Sequence, residues 1–407
     1  MASFRDRLSP GLRGAVFYGA FWGIIGFFDP FTNVYLDQIG LSGPQIGWLS
    51  ALLPLSAMVL PLALSRLADR TSRRVPILSG VALLYSLSLL LMPIPKTFLP
   101  IFGVMVLLAI FRSPIAPMAD GLVARMADKY QVDFGRMRLW GSLIFTITAI
   151  GLAPVWQWAG YPAMYISAGI MFLLVSGVSS LLEETPATHA PANRQPIPIF
   201  KDLGLLVLLG ATFLVGLAMS MVGTFGGVYM ARLGGSQMEI GAILGISALF
   251  EVPAMFVGRR IFNRLGGPRT LLLGYGLVTI CCVGFALAPT AGWMLAVTGF
   301  RGFGFGLYYI SSVTMLNDRA PEALCTTYQS IMYALGWGIA PTLGSFLSGI
   351  LFDSLGPSRL FLISAGVVIG AILLLPLLSA VSRGSLAQAA AGAPANAMDI
   401  GEKNVPG

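Results

Sequence analysis

Tyr35-Leu-Asp-Gln-Ile-Gly-Leu-Ser-Gly-Pro-Gln-Ile-Gly47 leads through an apolar stretch into Ser65-Arg-Leu-Ala-Asp-Arg-Thr-Ser-Arg-Arg74. A degenerate copy returns as Tyr229-Met-Ala-Arg-Leu-Gly-Gly-Ser-Gln-Met-Glu-Ile-Gly241, followed by Arg259-Arg-Ile-Phe-Asn-Arg-Leu-Gly-Gly267. The offset is 194 residues throughout (229 − 35, 264 − 70), and no gap is needed. It pairs Tyr35 with Tyr229, Gly40 with Gly234, Ser42 with Ser236, Gly47 with Gly241, Arg66 with Arg260 and Arg70 with Arg264. A repeat of half the chain predicts two structurally equivalent halves. Here they form one bundle and not a solenoid.

The 407 residues are 56% hydrophobic and only 10% charged, with a mean hydropathy of +0.81. Soluble chains carry roughly a quarter charged residues, so this much apolar surface needs lipid to cover it. Almost the whole length divides into apolar runs of about 20 residues, the helical length that crosses a bilayer. Lipid leaves backbone polar groups no partner outside their own segment, which selects helices. The expectation is an all-α membrane protein of twelve spans in two pseudo-symmetric six-helix halves. The spans are placed at about 14–36, 45–65, 76–94, 98–124, 138–158, 161–182, 203–230, 238–259, 269–288, 292–315, 327–351 and 358–382. An N-terminal bundle (1–182) is then joined by a Pro- and Ala-rich cytoplasmic linker (183–202) to a C-terminal bundle (203–382), with a disordered tail (383–407).

The net charge of +8 is a matter of topology. Arg5, Arg7 and Arg13 precede span 1; Arg66, Arg70, Arg73 and Arg74 follow span 2; Arg125, Lys129 and Arg136 follow span 4; Arg259, Arg260, Arg264 and Arg269 follow span 8. The alternate loops hold only Lys96, Arg232 and Arg359. The positive-inside rule puts both termini in the cytoplasm, and the basic excess is no footprint for nucleic acid. Cys281, Cys282 and Cys325 fall in or near spans and suggest neither disulfides nor a metal cluster; His189 stands alone in the linker. No cleavable signal peptide is evident ahead of the first span. Scarce lysine beside abundant arginine, alanine and glycine points to a bacterial source, hence a bacterial cytoplasmic (inner) membrane.

Ionisable residues within spans are costly unless paired or wet, and so mark function. The acids are Asp29, Asp120 and Glu251; the bases are Arg112 and Arg301, with Arg138 opening span 5. Phe111-Arg112 and Phe300-Arg301 occupy comparable places in the two halves. In two-fold bundles the solute lies near the midplane between halves. There the guanidinium fork suits an anionic or hydroxyl-rich group; the alternative is that each arginine pairs with a nearby acid. Asp120 and Arg138, on consecutive helices, can meet across the cavity and exchange their own salt bridge for solute, or simply hold helices together. Glu251, near Pro253, is a lone carboxylate able to carry a proton or to pair with Arg301. Asp29, ahead of Pro30, is a candidate cation or proton site. Phe28, Trp140, Phe145, Tyr308, Tyr309 and Trp337 offer a stacking surface or ordinary packing.

Asp69-Arg70-Thr71-Ser72-Arg73-Arg74 and Asn263-Arg264-Leu265-Gly266-Gly267, each after the second span of a six-span half, resemble the loop motif of the major facilitator superfamily. Here Ser65 and Ser72 replace the motif's glycines, and Asn263 replaces the acid in the second copy. The resemblance implies that Asp69, Arg70, Arg73, Asn263 and Arg264 form a conformational latch. Ala116-Pro-Met-Ala-Asp120 with Phe134-Gly-Arg-Met-Arg-Leu-Trp-Gly-Ser142 is similar to the lactose permease and phenylpropionate permease branch. That branch implies solute binding by Asp120 and Arg138, a stacking role at Phe145 and a proton acid near Glu251. Arg301-Gly302 stands where the branch keeps its span-10 histidine and glutamate.

The function expected is secondary active transport of a sugar, nucleoside or carboxylate, coupled to a proton and needing no cofactor, by a monomer in the lipid bilayer. Solute contacts are assigned to Asp120, Arg138, Arg112, Arg301, Phe145 and Trp140, and proton coupling to Glu251 and Asp29. Export of a drug or metabolite is the alternative. A receptor or assembly factor on the same scaffold is the rival from another class. No nucleophile–base pair suggests an enzyme.

Overall fold

The computed structural model describes residues 8–184, 202–320 and 324–391, with the side chains of Asp69, Thr326 and residues 378–391 left aside. Most of the expected linker, His189 within it, and the tail beyond Ala391 lie outside the described residues. Helices make up nearly all of what is described. The first half comprises α1 (Pro10–Gln38), α2 (Gly43–Thr71), α3 (Arg74–Leu91), α4 (Phe98–Arg112), α5 (Ile115–Tyr130), α6 (Phe134–Gly151) and α7 (Ala153–Val178). The second comprises α8 (Leu203–Arg232), α9 (Gln237–Leu265), α10 (Gly267–Ala286), α11 (Ala291–Arg319), α12 (Cys325–Tyr333), α13 (Ala340–Leu355) and α14 (Pro357–Ala391).

The repeat has a physical meaning in the turns. Gly40 and Gly234 both take positive φ (86° and 80°), where a side chain would be strained, and reverse the chain after α1 and α8. The next helix then starts at a capping serine in each half. Gln45 Oε1 accepts from the Ser42 N–H at 2.9 Å, and Glu239 Oε2 accepts from the Ser236 N–H at 2.8 Å. At the far ends of these helices, Ser72 (φ 53°) and Gly266 (φ 78°) again occupy matching places. Elsewhere Asp133, Asp202 and Thr290 cap α6, α8 and α11 through their side-chain oxygens.

Ten stretches among the described residues are helices long and apolar enough to cross a membrane. The two further long helices, α6 and α11, fall short of that mark, which is consistent with the twelve spans expected. They carry Arg136 and Arg138, and Arg301 among several glycines. In α11 the low hydropathy reflects interior placement: Arg301, Gly302, Gly304 and Gly306 are all buried.

The spans differ from expectation in four places. The span placed at 98–124 is broken between Arg112 and Ile115, because Pro114 cannot continue the hydrogen-bond ladder. The span ending at 158 stops at Gly151; residues 153–159 form a short helical segment that joins the next span through a kink at Gly160 (φ 78°). Apolarity runs through that junction unbroken, so composition could not place it. The eleventh span contains a π-helical turn, Ala334–Ile339, between α12 and α13. The last helix also runs to Ala391, past the expected end at 382, as its alanine-rich sequence favours.

Within the first half α1 packs most closely on α6, and α3 on α7; within the second α9 and α10 flank α11, and α8 lies on α14. The halves meet chiefly through α2 on α13 and α6 on α9. These contacts concentrate at one end. There Arg232 Nη2 lies 2.6 Å from Asp37 Oδ1, and the Gly43 N–H donates to Asp353 Oδ2 at 2.7 Å. Tyr161 and Gln237 exchange hydrogen bonds at the same end. Glycines let the backbones touch: a Cβ at Gly241 would strike the Ala149 carbonyl, and one at Gly349 the Gly43 carbonyl.

Candidate functional site

A cavity of about 930 Å³ lies between the halves, lined from both. Its floor is a hydrogen-bonded layer beneath the sealed end. Asn33 Nδ2 donates to the Thr224 carbonyl (2.9 Å), Ser50 Oγ donates to Asn33 Oδ1 (3.0 Å), and Thr224 Oγ1 meets Ser345 Oγ (3.0 Å). From there the cavity extends past Pro54, Met58 and Pro61 on one side and Trp337, Tyr333 and Ser330 on the other.

Arg112 and Asp29 are both on the wall and form a two-pronged ion pair, Nη1–Oδ1 2.5 Å and Nη2–Oδ2 3.2 Å. Tyr85 lies beside the guanidinium. The break at Pro114 makes Arg112 the last residue of α4, so its side chain can reach across to α1. Of the two roles open to Arg112, the structure displays pairing. The same pair occupies the Asp29 carboxylate that the sequence offers as a cation or proton site.

Asp120 and Arg138 come together without an ion pair within 4.0 Å. Tyr18 stands between them: its hydroxyl donates to Asp120 Oδ1 at 2.6 Å, and its ring lies 5.3 Å from Arg138 Cζ. Trp22 covers the guanidinium from another side at 4.7 Å. A cation between two π-faces is well held, and a substituent on Gly141 would crowd it. Trp22 lines the cavity while Asp120 and Arg138 do not, so the pair sits one side chain behind the wall. Tyr18 and Trp22, on the first span, are not legible in the sequence, because an aromatic in an apolar helix carries no distinguishing signal.

Across the cavity Arg301 is 6% exposed and lines the wall. Its Nε donates to Ser247 Oγ at 3.2 Å. Among the described residues its two terminal nitrogens have no hydrogen-bond acceptor, and no carboxylate lies within 4.0 Å. Ser247 can approach because Gly302 lets α11 press on the Ser247 backbone. Glu251, one turn beyond Ser247 on α9, also faces the cavity; it is within electrostatic reach of Arg138 and Arg301 but in contact with neither.

Phe145 is half-buried behind Gly26, and Trp140 is 52% exposed on the outer surface; neither lines the cavity. Helical phase explains this, because α6 turns toward α1 and α9. The aromatic wall comes instead from Phe28, Phe305, Tyr308, Tyr333 and Trp337. Phe305, Trp337 and Tyr333 are in ring contact in series (5.6 and 5.9 Å between centroids). At the end away from the seal, Arg70, Arg73, Asn263 and Arg264 are all exposed, and the Asp69 side chain lies outside the described residues.

The chain matches the model of the MFS_1 like family over residues 12–363. It is 25% identical over 365 residues to the maltose permease of Geobacillus stearothermophilus, covering 88% of this chain and 92% of that protein. It is 23% identical over 373 residues to a probable 3-phenylpropionic acid transporter of Escherichia coli (strain K12), covering 89% and 96%. The solved structure of nucleoside transporter NupG superposes with a TM-score of 0.78 at 15% identity, over 92% of this chain and 99% of that one. A bacterial homolog of the lysosomal transporter Spinster, in an inward-facing and occupied conformation, gives 0.66 at 13% identity, over 91% and 96%.

Proposed function

The chain belongs to the MFS_1 like family and is a multi-pass membrane transporter of small molecules; on that premise we propose proton-coupled uptake of a polar or anionic organic solute by alternating access. The observation that carries this reading is the cavity itself, closed at one end by contacts between halves and furnished with Asp29, Arg112, Glu251 and Arg301. Charged side chains are kept inside a membrane bundle when they meet one another, water or a solute. Arg112 has its acid, whereas Arg301 and Glu251 stand ready for cargo and proton. Asp120 and Arg138, behind Trp22, would join once the halves rock and the tryptophan moves.

Both termini are assigned to the cytoplasm of a bacterium, and the chain to its inner membrane as a monomer. The sealed end then faces outward and the cavity inward. For the reverse state, the Asp37–Arg232 and Gly43–Asp353 contacts must part while the cytoplasmic ends of α2 and α9, with the turns that follow them, close as the latch. Maltose, nucleosides and arylalkanoates, named by the relatives and the structural neighbour, define the first panel of solutes.

The test is uptake by proteoliposomes with an imposed inward proton gradient. One solute of the panel should accumulate, and a protonophore should abolish that accumulation. Glu251→Gln should lose gradient-driven uptake yet retain exchange of labelled for unlabelled solute. Accumulation that ignores the proton gradient would sink the coupling, and retained gradient-driven uptake by Glu251→Gln would remove that residue's role.

A further inference from the structure

We propose that Arg301, with Ser247 and the rings of Phe305, Tyr333 and Trp337, is a receptor for a monocarboxylate carrying an aromatic ring, and that this is the solute class. The inference rests on the transport reading above and deepens it.

The first support is the state of the guanidinium. Arg301 is buried and makes one hydrogen bond, to a neutral hydroxyl through Nε. Arg301 lines the cavity, with the buried Cys281 and Cys282 of α10 close by, and its two terminal nitrogens have no acceptor among the described residues. A buried cation lacking a counter-ion is strongly unfavourable, so the site favours an anionic guest. Ser247 fixes the inner edge of the fork, leaving the outer edge presented. Two parallel N–H groups match the two oxygens of a carboxylate better than any single hydroxyl.

The second support is what surrounds it. Phe305 lies one turn along the same face of α11, about 6 Å away by helical spacing. It packs edge-on against Trp337 at 5.6 Å, which in turn stacks on Tyr333 at 5.9 Å. Tyr333 and Trp337 are 57% and 43% exposed although they line the cavity, so their faces are open to it. A ring held about one turn from its carboxylate by a short alkyl link would fill both places. A sugar needs hydrogen-bond partners along its whole length; beside Arg301 the wall presents the rings of Phe305, Tyr308 and Trp337, while Asn33, Ser50 and Thr224 lie at the floor. A zwitterion would need a second, unengaged acid next to the fork. Asp29 is taken by Arg112, and Glu251, in contact with neither arginine, is the acid assigned above to the proton.

The test is equilibrium binding to the full-length protein in detergent, with 3-phenylpropionate, its uncharged analogue 3-phenylpropanol, phenylalanine and maltose as probes. Wild type should bind 3-phenylpropionate and discriminate against the other three. Arg301→Gln should weaken that binding by about tenfold to hundredfold, the loss expected for a charge-assisted fork. Arg301→Lys, which keeps charge without the fork, should fall between and guards against misfolding. Phe305→Ala should weaken binding severalfold while preserving the preference for the charged probe. Equal binding of 3-phenylpropionate by wild type and Arg301→Gln overturns the assignment, as does no binding of it by wild type or a preference for maltose or phenylalanine. If proteoliposomes accumulate maltose independently of Arg301, transport stands and this receptor falls. If 3-phenylpropionate binds through Arg301 but no solute is moved, the receptor stands and transport falls.

Discussion

Replacing Asp29 with asparagine would leave the Arg112 guanidinium largely enclosed beside Tyr85 with no counter-ion. Breaking such a pair from one side costs about 3–5 kcal/mol, whereas removing both charges costs much less. Thermal unfolding should therefore rank Asp29→Asn below the double variant Asp29→Asn/Arg112→Gln; a double variant less stable than the single would refute the pairing as the reason. At Ser72 the chain takes φ 53° after α2 without a glycine, where its repeat partner Gly266 takes φ 78°. Ser72→Gly should stabilise by about 0.5–1 kcal/mol, the strain of a left-handed residue less the extra entropy of glycine. A melting temperature that falls on this change would contradict the account. The acids and bases were legible one by one in the sequence, because a charge in an apolar run stands out. Their partners were not: Asp120 was matched to Arg138, but Tyr18 and Trp22 stand between and around them.

At the scale of helices, the close approach of α6 and α9 depends on Gly241 against the Ala149 carbonyl and Gly245 against Ile150. Small residues permit such contact where lipid supplies no hydrophobic drive. Gly241→Leu would wedge the two helices apart at the sealed end. Uptake should be lost while binding of the solute from the open side persists; loss of both would mean that the contact serves folding and not closure. The sequence marks Gly241 only as the repeat partner of Gly47 and does not say which helices it joins. It also missed the break at Pro114, since Arg112 looked like a mid-span charge and is in fact a helix terminus that reaches α1. The π-turn at Ala334–Ile339 had no sequence signal beyond Gly336 and Gly338, yet it presents Trp337 to the cavity.

At the scale of the molecule, the sealed end is held by a few polar contacts and by backbone fit. Arg232 is half exposed, so its pair with Asp37 is worth little alone. The Asp353 carboxylate on the Gly43 N–H lies where α2 and α13 touch, and is the better lever. In a background without Cys325, Ser50→Cys would report on the cavity floor. Adding Asp353→Ala should raise its labelling by a membrane-impermeant maleimide applied from the sealed side severalfold. Unchanged labelling would show that backbone packing keeps this end closed without the carboxylate.

The sequence by itself determined the two halves, the helical spans and which residues are charged in the membrane. These follow from local composition and from a repeat that preserves its turns. Only the tertiary structure decided which charges neutralise one another and which face the cavity. Arg112 and Arg301 look alike in the chain, each after a phenylalanine in an apolar span. One ends beside Asp29 and the other beside Ser247, because pairing depends on which helix each side chain meets and at what phase. Three-dimensional packing sets that phase, and no spacing along one strand of sequence encodes it.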